Sequence, residues 1–283
     1  MRLLSFVHNG ESLWGVQKGE RVYGATALAP TLDAWIQRGE ASPDALQALI
    51  DRRNAPTFPL TDVRLAAPLQ NPRKIVAIGL NYYDHCRETG HPVPRYPIAF
   101  AKFPSTIIGP GDPIRWRTAL TQMVDWEVEL AIVMGKAARR VAEKEALATV
   151  LGYTVANDVS AREIQHGDGQ WVRGKSLDTF CPLGPAIVTT DEIPDPQNLA
   201  LCCRVNGVPM QDSTTREMIF GVAHLISFLS QAFTLLPGDL ILTGTPHGIG
   251  AARNPQVFLG DGDVVECEIE GIGRLRNVCS VEP

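Results

Sequence analysis

The 283-residue chain contains no apolar run approaching the ~18 residues that span a bilayer. It has no Cys-x-x-Cys pair and no Cys–His grouping at zinc spacing. It carries no excess of positive charge: the net charge of −5 gives no electrostatic footprint for nucleic acid or an anionic membrane. The glycine-rich "LTGTPHGIG" lacks both the Lys-Ser/Thr of a P-loop and the G-x-G-x-x-G spacing, which excludes nucleotide binding there. No internal repeat or low-complexity segment is present. The opening stretch "MRLLSFVHNGESLWG" lacks a long apolar signal region, which argues against secretion. The six cysteines read as reduced, buried hydrophobes, and a cytoplasmic location is expected.

What is present is an ordinary globular composition, 45% hydrophobic and 20% charged, in a chain long enough for about two domains. Short strand-like runs broken by "HNGE" and "KGE" open the chain. The helix "SPDALQALIDRRN" follows, with Ser42 as N-cap and Pro43 at the first helical position. Pro56, Pro59, Pro68 and Pro72 then mark a linker. The expected division is a small N-terminal α+β domain at 1–70 and a larger unit at 71–283. The larger unit reads as strands "KIVAIG", "EVELAIVMG", "YTVAND", "GPAIVTT", "LALCCRVNG", "DLILTG", "DVVECEIEG" and "GRLRNVCSV". Two helices are expected among them. One is "AEKEALATVLG", stopping at Gly152. The other runs from a capping box at Thr214 and Glu217 to Pro237-Gly238, with Met218, Val222, Leu225 and Leu229 on one face. Strands outnumber helices without regular alternation. The fold class is therefore α+β, mostly β, with an antiparallel or mixed sandwich or barrel-like core.

One strand poses a problem. In "MVDWEVELAIVMG" the alternation places Glu127 and Glu129 on one face with Ala131 and Val133, while Val128, Leu130, Ile132 and Met134 fill the other. Two adjacent carboxylates on a buried strand repel each other, and each is costly to bury. A shared divalent cation removes the conflict. Asp158, at the end of "YTVAND", supplies a third acid, and three carboxylates without Cys or His describe a hard-oxygen site for Mg²⁺, Mn²⁺ or Ca²⁺. The competing reading is a solvated edge-strand face.

In "GLNYYDHCRETG", His85 and Glu88 stand three apart, one helical turn, so the carboxylate can orient the imidazole as a base. Gly79 and Gly90 flank this segment as hinges would flank a lid. Lys102, Arg162, Gln165 and Lys175 are further polar candidates. Thr245 and its backbone neighbours are placed to hold a small anion.

Taken together, "DWEVELAIVMGK", "YTVANDVSARE", "GKSLDTFCPLGP", "VNGVPMQDSTTREMIF", "LLPGDLILTGTPHGIG" and "GDVVECEIEGIGRLRN" resemble the fumarylacetoacetate hydrolase family over residues 72 to 280. The small N-terminal unit is similar to the appendage of longer bacterial members. The resemblance implies a mixed β-sandwich roll, usually a homodimer, with a metal at its mouth. It assigns Glu127, Glu129 and Asp158 as metal ligands, with Mg²⁺ the expected ion. It assigns His85 and Glu88 as a water-activating dyad on a lid, with Lys175 beside them in catalysis. Arg162, Gln165 and Thr245 then hold the 2-oxo-carboxylate end of a small 2-oxo acid, with Lys102 as an additional contact. The linker "HGDGQWVRG" varies within the family, so the substrate's far end is open to a different reading. The activity first expected is hydrolysis of a C–C bond in acylpyruvate-like or 2,4-dioxo acids through a metal-stabilised enolate. The same device serves an isomerase or decarboxylase of 2-oxo diacids, including oxaloacetate and ring-cleavage products of aromatic catabolism. A non-catalytic metal-stabilised binding module is the reading from another class.

Overall fold

The computed structural model describes residues 1–39, 41, 43–52 and 54–282. The chain begins as a meander: β1 (Arg2–His8), β2 (Glu11–Lys18) and β3 (Arg21–Gly24). Asn9 and Gly10 both take positive φ (49° and 83°), the two-residue turn whose twist suits a hairpin. Two helices follow, α1 (Leu32–Gln37) and α2 (Pro43–Ile50). Thr31 caps α1 by accepting from the Ala34 N–H at 3.1 Å. The N-cap expected at Ser42 lies outside the described residues, and α2 starts at Pro43. Short strands β4 (Thr57–Pro59) and β5 (Arg64–Ala66) complete this part.

Beyond residue 70 come β6 (Ile75–Gly79), α3 (Tyr83–Thr89), β7 (Ile98–Lys102), β8 (Ile107–Ile108), β9 (Ile114–Arg117), β10 (Val124–Asp125) and β11 (Val128–Met134). Next are α4 (Glu143–Ala146), β12 (Val150–Asn157), β13 (Ser160–Ala161), α5 (Arg162–Gly167), α6 (Val172–Lys175) and β14 (Cys181–Thr189). The chain closes with β15 (Ala200–Val205), β16 (Val208–Thr214), α7 (Val222–Ala232), β17 (Leu240–Leu242), β18 (Val264–Ile269) and β19 (Gly273–Glu282).

The strands form two large mixed sheets, the mostly-β α+β architecture expected from the sequence. The larger runs β4-β3-β2-β1-β14-β12-β11-β17-β6-β7, with β5 on β1 and β8 on β14. The smaller runs β16-β15-β18-β19-β9. β10 and β13 make a separate two-stranded ribbon. The pairing of β1 with β14 joins the first 70 residues to the rest of the large sheet.

Strand β11 lies at the centre and is buried throughout. Its Val128, Leu130, Ile132 and Met134 enter a core shared with Leu201, Cys203, Cys267 and Leu275 of the smaller sheet. On the other face, Ala131 and Val133 enter a second core with Leu32, Ile36, Leu46 and Leu49 of α1 and α2. The small sheet thus covers one face of the large sheet, and the N-terminal helices cover the other.

Two helix expectations are corrected. α4 ends at Ala146 and passes through a single 3₁₀ turn into β12, so Val150, Leu151 and Gly152 are strand residues. A short apolar run does not distinguish a buried helix from a buried strand, and here β-branched residues decide for the strand. Gly152 is a point of close approach, since a Cβ there would overlap the Val188 carbonyl of β14. The helix expected from Thr214 instead begins at Val222. Glu217 does not close a capping box; it pairs with Arg87 at 2.9 Å. Met218 bridges to Tyr82, and the Asn81 side chain takes both the N–H and the C=O of Phe220, so the helix cannot propagate until Gly221.

Candidate active site

The three acids are brought together by register. Val128 pairs with Asn157 across β11 and β12, which sets Glu127 and Asp158 side by side beyond the paired ends. The Asp158 N–H donates to the Glu127 carbonyl at 2.9 Å, and the Glu127 N–H donates to Asn157 Oδ1 at 3.0 Å. Glu129 accepts from the Gly244 N–H at 2.7 Å, just past the end of β17. One carboxylate oxygen from each of Glu127, Glu129 and Asp158 lies within 4.8 Å of the others. Their exposures are 6%, 1% and 0%.

Three cations surround them. Lys175, at the end of α6, donates to Glu127 Oε2 and Asp158 Oδ2, each at 2.7 Å. Lys102, at the end of β7, donates to Asp158 Oδ1 at 2.6 Å and to the Lys175 carbonyl. Arg162 lies 2.7 Å from Glu127 and 2.8 Å from Asp125, and it also bonds Gln165 Oε1 at 2.9 Å. Asp125 is the fourth buried carboxylate and was missed as a site residue. It anchors Arg162 and accepts from the backbone N–H groups of Gly250 and Ala251. Its same-face spacing with Glu127 was the available signal.

Four carboxylates against three cations leave the cluster one positive charge short of neutrality. Burial works to raise the Glu127 pKa, but Lys175 and Arg162 outweigh it and hold this carboxyl at about 2. Glu129 goes the other way: burial, then the charges of Asp158 and Glu127, push it well above the usual carboxylate range. Burial opposes the charge on Lys175, yet Asp158 and Glu127 raise its pKa overall. Close-set hard oxygens, one of them on a carboxyl poorly compensated by the protein's own cations, fit a divalent cation of the Mg²⁺ type. Such an ion answers the question posed by the strand.

Above the cluster opens a cavity of about 560 Å³. Glu127, Arg162, Gln165, Lys175 and Thr245 line it, and so do His85 and Glu88 from α3. His85 Nδ1 is 3.3 Å from Glu88 Oε2, and Glu88 Oε1 accepts from the Gly248 N–H at 2.8 Å. Glu88 thereby ties the imidazole to the 245–250 loop. α3 is held further by Asp84, which accepts from Ser213 Oγ at 2.5 Å. Glu129 and Asp158 lie beneath the lining residues. Lys102, expected at the substrate, is fully buried and outside the cavity wall, where it fixes Asp158 and the end of α6. Thr245 does line the cavity, but its hydroxyl donates to the Val128 carbonyl at 3.0 Å and accepts from Gln211 at 2.8 Å. Gln211, also missed, accepts from the Val128 N–H, so it clamps that loop to the start of β11. Among the described residues no cysteine lines the cavity, and burial pushes the nearby Cys181 thiol up to about 12. Gly79, expected as a hinge, sits against the Trp171 ring, which a methyl group there would overlap, and the positive φ (51°) falls on Leu80.

The fold sets three buried carboxylates that could hold a metal ion beneath the cavity, and comparison with known proteins gives the family. Residues 74–280 match the family model described as "Fumarylacetoacetate (FAA) hydrolase C-terminal". The chain is 47% identical over 287 residues to the bovine (Bos taurus) protein "Oxaloacetate tautomerase FAHD2A, mitochondrial", covering 98% of this chain and 91% of the relative. Among solved structures it is similar to "2-hydroxyhepta-2,4-diene-1,7-dioate isomerase from Mycobacterium marinum", at 37% identity and TM-score 0.81, over 100% of this chain and 99% of that one. It is also similar to maleylpyruvate hydrolase from Sphingobium sp. SYK-6 in complex with manganese(II) ion and pyruvate, at 30% identity and TM-score 0.83, over 100% of both chains. The chain is an enzyme of the fumarylacetoacetate hydrolase family. The expected cytoplasmic location is corrected by the bovine relative, which is a mitochondrial protein. Reduced thiols and the lack of a long apolar run do not discriminate between compartments, so they were no basis for that expectation.

Proposed function

We propose that this enzyme is a tautomerase of short 2-oxo diacids, interconverting the keto and enol forms of an oxaloacetate-like substrate with the help of Mg²⁺. The observation that carries this reading is the His85–Glu88 dyad lining the same cavity as Glu127, above the carboxylate cluster. The names of the bovine tautomerase and the mycobacterial isomerase favour it over the hydrolase first expected.

Glu127, Glu129 and Asp158 would hold the cation. When bound, it supplies a Lewis acid that stabilises negative charge on substrate oxygens. Glu88 accepts from His85 Nδ1–H, which leaves the lone pair on Nε2. That nitrogen takes a proton from the carbon beside the keto group, and the imidazolium so formed returns it to the keto oxygen, leaving neutral His85 and the enol; the reverse transfer restores the ketone. Arg162 and Gln165 orient the carboxylate end. Lys175 offsets charge at the floor. Lys102 positions Asp158 and Lys175 without meeting the substrate.

Hydrolysis is the second reading, because the same imidazole can activate water and a maleylpyruvate hydrolase shares the fold. Residues 1–70 are assigned a supporting role, since among the described residues the lining of this cavity begins at Ile78. A homodimer is proposed from the family resemblance, and the apolar groove containing exposed Phe103 and Leu120 supports it.

The test is a product analysis by NMR of oxaloacetate, acetylpyruvate and unsaturated 2-oxo diacids, each with Mg²⁺-loaded protein. The tautomerase reading expects exchange at the carbon beside the keto group of oxaloacetate with no C–C cleavage. Release of pyruvate and acetate from acetylpyruvate at a higher rate would replace it with the hydrolase.

A further inference from the structure

The outer part of the cavity has a different chemistry from its floor. At the floor, Arg162 and Lys175 bond Asp125, Glu127, Gln165 and Asp158 and are assigned to the 2-oxo acid end. Apart from the His85–Glu88 dyad, the remaining ionisable residues on the described wall are His91 and His166, and both are exposed. They are carried by different elements. His91 follows Gly90, the left-handed residue that ends α3, so it is carried by the helix that bears the dyad. His166 lies in the last turn of α5, whose first residue, Arg162, belongs to the floor. α5 therefore runs from the buried cluster to the rim. Trp171 completes this part of the wall. Its ring is seated on Gly79 and meets the Phe100 ring edge-on at 5.3 Å between centroids. It presents a flat surface with no anion-binding charge.

A substrate whose 2-oxo acid end lies at the floor directs its other end toward this rim. We infer that His91 and His166 read a second carboxylate there, which makes the site selective for 2-oxo dicarboxylates over monocarboxylates of equal length. The inference rests on the proposed function for the seating of the 2-oxo acid end. Imidazole N–H groups donate to a carboxylate, and a hydrogen bond to a charged group is worth roughly tenfold or more in affinity.

A matched pair of stable acids tests it. 2-Oxoglutarate and 2-oxopentanoate differ only in a terminal carboxylate against a methyl group. Calorimetric titration of the Mg²⁺-loaded enzyme is expected to show 2-oxoglutarate bound roughly tenfold or more tightly. In the double variant His91→Ala, His166→Ala, that ratio is expected to collapse toward one. Both histidines are exposed, so the variant keeps its core. Equal binding of the two acids by the unmodified enzyme overturns the inference, as does a double variant that retains the preference. If neither acid binds, the proposed seating of the 2-oxo acid falls and the inference falls with it. If both bind equally, the seating stands and only the reading of His91 and His166 is lost.

Discussion

The floor and the rim of the cavity are built on opposite principles. The floor is buried, and its acids are met by cations or backbone N–H groups: Asp158 by Lys102 and Lys175, Glu127 by Lys175 and Arg162, Glu129 by Gly244. Its acids Glu127, Glu129 and Asp158 lie on or at the ends of β11 and β12, strands packed on both faces, so their positions are fixed by the two cores. The rim is more exposed and assembled from loop and helix ends, with His91 contributed by one segment and His166 and Trp171 by another. A preorganised floor suits charge stabilisation that must not change between substrates. A rim on exposed segments can change selectivity while leaving the core intact.

The comparison predicts effects that diminish from floor to rim. Chelation, or Glu129→Ala, is expected to abolish turnover, with activity after chelation restored by Mg²⁺ or Mn²⁺; full activity in persistent excess chelator breaks the account of the floor. His85→Ala is expected to lower kcat by about a hundredfold to ten-thousandfold, while Mg²⁺ binding measured by calorimetry survives. Unchanged turnover removes the imidazole from the mechanism.

Smaller effects sharpen the rim. Gly79→Ala forces a methyl group into the Trp171 ring and is expected to cost about 1–3 kcal/mol of stability by thermal melting. Adding Trp171→Ala should recover much of that loss, and strict additivity of the two substitutions contradicts the seating of the ring. Ser213→Ala removes the donor to Asp84 and is expected to cost about 0.5–1.5 kcal/mol locally. Amide exchange in residues 82–90 should quicken accordingly; unchanged exchange shows that the bond does not hold α3.

The floor was more legible in the sequence than the rim, for a physical reason. Alternation along β11 is local, so the shared face of Glu127 and Glu129 followed from spacing alone, and Asp158 stood at the end of a recognisable strand. Asp125 belonged to the same alternation but lies in a two-residue ribbon with no strand pattern of its own. Lys102 looked like a substrate contact because nothing local shows that β7 delivers it beneath Lys175. His91 carries no spacing signal that relates it to His166 and Trp171, since only the tertiary fold brings the two segments to one wall. The false helix through Gly152 failed the same way: strand β14, far along the chain, decides what that glycine is for.

The most direct test of the central claim is stopped-flow ultraviolet measurement of the oxaloacetate enol on mixing with Mg²⁺-loaded enzyme. The account predicts accelerated approach to the keto–enol equilibrium, suppressed by excess chelator and by His85→Ala, with total oxaloacetate conserved. An unaccelerated approach, or acceleration that persists unchanged in His85→Ala, would contradict it.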